Sequence, residues 1–338
     1  MTQSPERARA ATIFDVARLA GVSHQTVSRV LNDHPSVRDS TRLRVQEAIN
    51  QLRYRPNVAA RAMTKRGSQN VGLITTGSAD FGPNSTVIGF AAAAREARFS
   101  VSMTTAQDSE PASIRACVET LLGQHVEAIV LVASRTGVID GIQDVDIEVP
   151  VVVVDPSARS LLPSISIDQY AGGRLATEHL IALGHREIIH LAGPSDSMDA
   201  IERVRGWRDT MAEHGLVAPP PPVGDWTPRS GYRNAVAVVE SERRFTAIFS
   251  ANDQMALGCI TALNQHGLSV PGDVSLIGFD DLPEAEYFHP PLTTMRQDFR
   301  ELGRDIMAML LKLLGSDPGP PDPRHRPVLV VRESTRPL

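Results

Sequence analysis

Apolar residues recur at helical spacing over residues 13–31, broken once at Gly21. Phe14, Val16, Ala17 and Ala20 make one stripe, and Val27, Val30 and Leu31 make a second. The pattern predicts two short amphipathic helices around a Gly21-Val22-Ser23 turn. Gly21 supplies the permissive backbone, and the Ser23 hydroxyl caps the second helix. His24, Gln25, Thr26, Ser28, Arg29 and Asn32 are left pointing outward. A surface helix is usually coated with Lys and Glu. This set suits base edges and phosphates instead, so the unit reads as a helix-turn-helix. The competing reading is a small three-helix core with a polar face and no partner.

A third helix is predicted over 39–52, with Leu43, Val45, Ala48, Ile49 and Leu52 on its apolar side. Asp39 or Ser40 would cap it, and Tyr54-Arg55-Pro56 ends it, because a residue preceding proline avoids helical backbone. Residues 57–63 follow as a short helical segment capped by Asn57, too short to hold alone in water. A polar linker covers 64–69. From residue 70 the pattern changes. Apolar strands at 71–75, 128–133 and 149–154, and a strand at 101–105, alternate with helical stretches at 85–98 and 112–122. A short extended piece at 165–167 and a helix at 169–183 follow. A second series has strands at 187–192, 247–251 and 274–279, with helices at 201–214, 229–241 and 253–266. A helix at 301–314, a Pro/Gly-rich loop at 316–327 and a strand at 328–332 finish the chain. Unbroken apolar strands between helices imply parallel sheets covered on both faces. The expected fold is an all-α helix-turn-helix domain followed by an α/β body of two doubly wound lobes.

Length and composition fit this division. The chain has 338 residues, 42% of them hydrophobic, enough for two or three cores. No apolar run is long enough to span a membrane. Residues 1–11 are polar and lack the apolar stretch of a secretory signal. Cys117 and Cys259 lie far apart in apolar settings, as buried free thiols of a reducing compartment do. The net charge of −5 conceals an asymmetry. Residues 1–66 hold 12 basic against 5 acidic side chains, and the remainder holds 22 against 34. A cationic head on an anionic body suits a head that meets a polyanion. An enzyme is disfavoured: the chain has no Gly-rich phosphate loop, no nucleophile elbow and no metal-ligand spacing. His185, His190, His266 and His289 are scattered and read as solvent-facing or structural, and no cofactor is implied. A periplasmic sugar receptor would fit the body alone, but not the N-terminal head.

Several ordered motifs carry a family likeness. They are Asp15-Val16-Ala17, Ala20-Gly21-Val22-Ser23, Thr26-Val27-Ser28-Arg29-Val30-Leu31-Asn32 and Tyr54-Arg55-Pro56-Asn57 in the head. In the body they are His179-Leu180-Ile181-Ala182-Leu183-Gly184-His185, Leu191-Ala192-Gly193-Pro194, Arg203-Val204-Arg205-Gly206-Trp207, Ala251-Asn252-Asp253-Gln254-Met255, Gly278-Phe279-Asp280-Asp281 and Pro291-Leu292-Thr293-Thr294. Over nearly its whole length the sequence resembles the lactose-repressor/galactose-repressor (LacI-type) family of bacterial transcription regulators. Gly224-Asp225-Trp226 and Gln297-Asp298-Phe299 bring it close to the family's founding member.

The resemblance implies a cytoplasmic homodimer on a palindromic operator, most simply a repressor released by a small sugar, with a galactoside or other glycoside favoured. A purine or other corepressor is the alternative. The chain stops just after its final strand, so no tetramerising segment is expected. The implied domains are 1–55 for DNA binding, 56–66 for a hinge helix and linker, and 67–338 for a periplasmic-binding-protein-like body. Lobe 1 would span about 67–165 and 297–326, and lobe 2 about 166–296 and 327–338. His24, Gln25 and Arg29 match base-reading positions, and Arg29 can fork onto guanine. Thr12, Ser23, Ser28, Asn32 and Thr41 match phosphate contacts, with Thr26 and Tyr54 beside them. Asn57, Ala60 and Met63 fall in the hinge, where the family wedges a leucine into the central base step; here Met63 stands in its place. Asp155, Arg203, Trp226, Asn252, Asp280 and Phe299 match effector-binding positions. Thr105-Ala106-Gln107 departs from the founding member, which carries an arginine there.

Overall fold

The computed structural model describes residues 11–31, 34, 36–52, 54, 67–76, 80–143, 145, 147–156, 160–241, 243–316, 319 and 323–338. The chain divides into two compact units, Met1–Ser68 and Gln69–Leu338.

In the first unit, α1 (Ile13–Ala20), α2 (His24–Leu31) and α3 (Asp39–Gln51) enclose Val16, Ala17, Ala20, Val27, Val30, Val45 and Ala48. Thr12 and Asp15 close a capping box on α1, and Gly21 ends it in the left-handed region at φ 64°. Ser23 Oγ accepts from the Thr26 amide at 3.1 Å, as its cap role requires. Two apolar expectations are corrected. Phe14 is 61% exposed and Leu43 is 65% exposed. Each sits two residues before a core position (Val16, Val45), about 200° around the helix. Ile13, not Phe14, falls on the stripe and packs against the core. Arg38 occupies the N-cap of α3 without a side-chain bond, so neither Asp39 nor Ser40 caps it. The expected hinge helix, with Asn57, Ala60 and Met63, and also Asn32, lie outside the described residues.

The second unit holds two α/β lobes. In lobe 1, β1 (Asn70–Thr75), β2 (Ser100–Thr105), β3 (Ala128–Val132), β4 (Val151–Val154), β5 (Ser164–Ile167) and β10 (Arg324–His325) form a parallel sheet in the order β10-β5-β4-β3-β1-β2. Helices α4 (Phe81–Glu96) and α11 (Phe299–Leu313) cover one face, with Phe90, Ala94, Leu302 and Ile306 in the core. Helices α5 (Pro111–Leu122) and α6 (Val138–Gln143) cover the other through Ile114, Leu121 and Ile142. Both thiols are buried and free.

Lobe 2 is built on β6 (Ile188–Leu191), β7 (Ala247–Ser250) and β8 (Ser275–Ile277), all parallel. Helices α9 (Pro228–Glu240) and α10 (Asp253–Gln265) pack on one face, and α7 (Gln169–Ala182) and α8 (Met198–Glu213) on the other. β9 (Thr294–Arg296) and β11 (Val328–Val330) pair antiparallel beside it. The central strands β3 and β4 are apolar and buried end to end because both faces are covered, whereas the edge strand β2 alternates polar and partly exposed positions. Four short elements escape the periodic reading: α6, β9, β10 and a 3-10 turn at Pro283–Tyr287. β10 lies within the predicted Pro/Gly-rich loop, paired in parallel with β5.

Candidate functional site

The head presents one polar face. Ser23, His24, Gln25 and Arg29 of α2 and its cap are exposed, and Thr26 and Ser28 are half-buried at its edge. Phe14 rests beside His24, ring centroids 5.3 Å apart. The Thr12 hydroxyl is committed to Asp15 Oδ2 at 2.7 Å. Thr41 is half-buried in the first turn of α3, and Tyr54 packs half-buried on the core. The exposed set offers an imidazole, an amide, a guanidinium and a hydroxyl on about two turns of helix, a surface of the size and chemistry that enters a major groove.

In the body, a cleft opens between the lobes at the ends of their strands. Its outer half is lined by Phe81, Asp199, Arg203, Trp226, Asn252 and Asp280. Its inner half is lined by Thr86, Val154, Gln169, Asp199, Gln297 and Phe299. Two stretches clip the lobes together at the rim. The Thr136 amide donates to Asp196 O at 2.9 Å, the Met198 amide donates to Ser134 O at 3.2 Å, and Arg135 pairs with Asp196.

The floor is a closed ring of four side chains. Arg203 Nε donates to Gln169 Oε1 at 2.9 Å, and Gln169 Nε2 donates to Gln297 Oε1 at 2.8 Å. Gln297 Nε2 donates to Asp280 Oδ1 at 2.7 Å, and Arg203 Nη2 reaches the same oxygen at 3.4 Å. Arg203 Nη1 also donates to Ala251 O. Arg203 and Asp280 are nearly inaccessible, and their pairing offsets part of the cost of burying both. The guanidinium lies 3.7 Å over the Phe279 ring and 5.3 Å from Trp226. Burial pushes the Asp280 carboxyl up to about 7, against the pull of Arg203. Asp280 holds a positive φ of 114°, which a non-glycine residue keeps only where its surroundings dictate it.

Trp226 is set by its neighbours. Asn252 caps α10 by accepting from the Met255 amide at 2.8 Å, and its Nδ2 donates to Trp226 O at 3.1 Å. Gly193 lies against the indole, where any side chain would overlap the ring. Trp226 thus turns a flat apolar wall toward the cleft. Phe299 forms an inner wall, edge-on to Phe81 at 5.7 Å.

Five of the six predicted body residues therefore converge on one cleft: Arg203, Trp226, Asn252 and Asp280 outside, and Phe299 inside. Asp155 does not join them. It is 1% exposed, accepts from the Ser160 amide at 3.0 Å, and lines neither half. Gln169, Gln297 and Asp199 are site residues that the sequence reading missed. Gln169 follows the helix cap Asp168, and Gln297 sits in a motif already singled out; Asp199 had no such signal. Asp199 lines both halves, and burial, with Asp80 adding to it, raises its carboxyl above the usual range against the pull of Arg203. Among the described residues, no group of three His, Cys, Asp or Glu is placed to hold a metal. No helix among them is long and apolar enough to cross a membrane.

Residues 12–57 match the family of bacterial regulatory proteins described as the lacI family, and residues 177–335 match the periplasmic binding protein-like domain. The lactose operon repressor of Escherichia coli (strain K12) is 34% identical over 305 residues, covering 89% of this chain and 84% of the relative. The HTH-type transcriptional repressor PurR of Vibrio campbellii (strain ATCC BAA-1116) is 32% identical over 343 residues, covering 97% and 99%. Among solved structures, the lac repressor dimer bound to operator and the anti-inducer ONPF superposes with a TM-score of 0.86 at 33% identity, covering 97% of this chain and all of that one.

Proposed function

The chain belongs to the lacI family of bacterial regulatory proteins, and from that premise we propose that it is a cytoplasmic homodimeric repressor released from a palindromic operator by a neutral sugar. As a family member it is a DNA-binding transcriptional regulator and not an enzyme. The observation that carries the effector reading is the polar ring of Gln169, Arg203, Asp280 and Gln297 beneath the indole of Trp226. A ring of fixed donors and acceptors under one aromatic wall suits hydroxyls on one edge of a pyranose and its apolar face on the other. Support for the operator comes from the relative whose solved dimer is bound to one.

In this reading, residues 1–55 read the DNA, 56–66 couple, and 67–338 sense. His24, Gln25 and Arg29 read bases, with Ser23, Thr26, Ser28, Asn32 and Thr41 setting register on the backbone. Thr12 contributes by capping α1. Asn57, Ala60 and Met63, one set from each copy, meet the minor groove at the operator centre. Effector binding shifts the body between two states, and only one of them holds the paired hinge segments together.

The test starts by selecting an operator from random duplexes with the full chain, followed by fluorescence anisotropy with lactose, cellobiose, methyl β-galactoside, guanine and hypoxanthine. The expected result is that a neutral glycoside weakens operator binding by at least about tenfold, the size of an ordinary coupling energy. Release or tightening by a purine alone overturns the sugar reading and favours the corepressor alternative.

A further inference from the structure

Three helices point their N-termini into the cleft. They are α4 with Asp80 at its cap, α8 with Asp199 in its first turn, and α10 with Asp253 in its first turn behind the Asn252 cap. A helix N-terminus carries orphan amides and the positive end of the macrodipole, and it is the place where proteins hold phosphate or carboxylate ligands. Here each of the three already has an aspartate of the chain itself. Asp253 is consumed in the fold: its oxygens accept from Thr294 Oγ1 at 2.6 Å and from the Leu282 amide at 2.8 Å. Asp199 is not. Among the described residues nothing donates a hydrogen bond to its carboxylate, and it lines both halves of the cleft. Gly82 of lobe 1 lies opposite, where a methyl would stand 3.9 Å from Asp199 Oδ2.

A second oxygen is uncommitted on the same wall. Asp280 is 7% exposed and lines the cleft; its Oδ1 takes both bonds of the ring, and among the described residues nothing donates to its Oδ2. The two arginines in the lining are already paired, Arg203 with Asp280 and Arg135 with Asp196. The cleft therefore has carboxylate oxygens waiting for donors, and its cations are spent.

We propose that Asp199 is the specificity determinant of this cleft, accepting a vicinal pair of hydroxyls from a neutral glycoside and excluding phosphorylated and carboxylated sugars. The proposal rests on the sugar reading above and narrows its class. A diol supplies two O–H donors at the spacing of one carboxylate, each a charge-assisted bond in a partly dry site. An anionic sugar would bring a like charge beside Asp199 with no free arginine to offset it.

The test is calorimetry on the full chain with methyl β-galactoside, lactose and cellobiose, each beside its 6-phosphate and its uronate, and with glucosamine as a cation. The same titrations are run on Asp199→Asn and Asp199→Ser, with circular dichroism to verify the fold of both. The expected result is that a neutral sugar binds at least tenfold tighter than its anionic partners. Asp199→Asn and Asp199→Ser should weaken the neutral sugar at least tenfold and narrow the neutral-to-anionic ratio. An anionic sugar that binds as tightly as its parent overturns the proposal, as does glucosamine binding tighter than any neutral probe. So does a substitution that weakens neutral and anionic probes equally, which is what a structural role alone would give. If no sugar of any charge binds, the sugar reading itself fails, and the proposal with it.

Discussion

At the scale of single residues, the body hides a titratable group behind its site. His190 on β6 is fully buried, stacks on Phe249 at 4.4 Å between ring centroids, and shares its Nδ1 proton with Phe249 O at 2.9 Å. Its Nε2 has no partner, so protonation there would strand a charge. Burial pushes its pKa down to about 3 from 6.5, with the Phe249 carbonyl opposing and Arg203 adding to the fall. A group depressed in the folded state stabilises the fold above its unfolded pKa and loses that contribution as pH drops. The loss starts near 6.5 and reaches about 2 kcal/mol at pH 5. His190→Phe keeps the stack and forfeits one hydrogen bond, about 1 kcal/mol. Urea unfolding at pH 7 should find the variant the less stable of the two, and at pH 5 the order should reverse. A parallel fall of both proteins over that interval would mean that His190 does not set the acid response. The sequence shows His190 as one apolar-flanked histidine among four scattered ones. Its depth comes from α7 and α8 folding over β6, which no local pattern encodes.

At the scale of elements, the helices that frame the cleft meet through glycines. Gly89 of α4 meets α11 near Gly303, Gly173 of α7 meets α8 near Gly206, and Gly231 of α9 meets α10 near Gly258. At each crossing a methyl would run into the partner's backbone. The pair α7 and α8 matters most for the site, because a Cβ on Gly173 would lie 2.6 Å from Arg203 O. Backbone cannot swing aside as a side chain can. Gly173→Ala should therefore cost about 1–3 kcal/mol of stability, the ordinary range for overpacking. It should also weaken effector binding by moving Arg203 within the ring. Unchanged affinity in a variant destabilised on urea unfolding would show that the ring tolerates a shift of α8. The helices and strands themselves were legible, because a covered parallel strand is an unbroken apolar run and its helices carry their own caps. The ring was only half legible. Arg203, Asp280 and Gln297 sit in recognisable motifs, but nothing in the sequence pairs Gln297 with Gln169, 128 positions away, which looks like any polar residue beside a helix start. Phe14 and Leu43 were misread for a different reason: in a helix of two or three turns, an apolar residue beside the stripe is easily counted as part of it.

At the scale of the whole molecule, charge separates the two binding activities. Residues 1–66 carry a net +7 and the rest a net −12. DNA binding by a cationic head releases counterions from the duplex, so it must weaken with salt. Effector binding in a cleft whose arginines are already paired, to a neutral ligand, releases none. The body's net negative charge repels the duplex, which favours phosphate contacts by the head. For a dimer making six or more phosphate contacts, operator affinity should fall on the order of a thousandfold between about 50 and 200 mM salt. Over the same interval the affinity for a neutral glycoside should stay within about twofold, the screening expected where no net charge is bound. Anisotropy on the selected operator and calorimetry with the sugar, run in matched buffers, give the two slopes. An effector affinity that fell in step with the operator affinity would place an ionic contact inside the cleft. In that case Asp199 would be binding charge, and the division of labour between head and body would not hold.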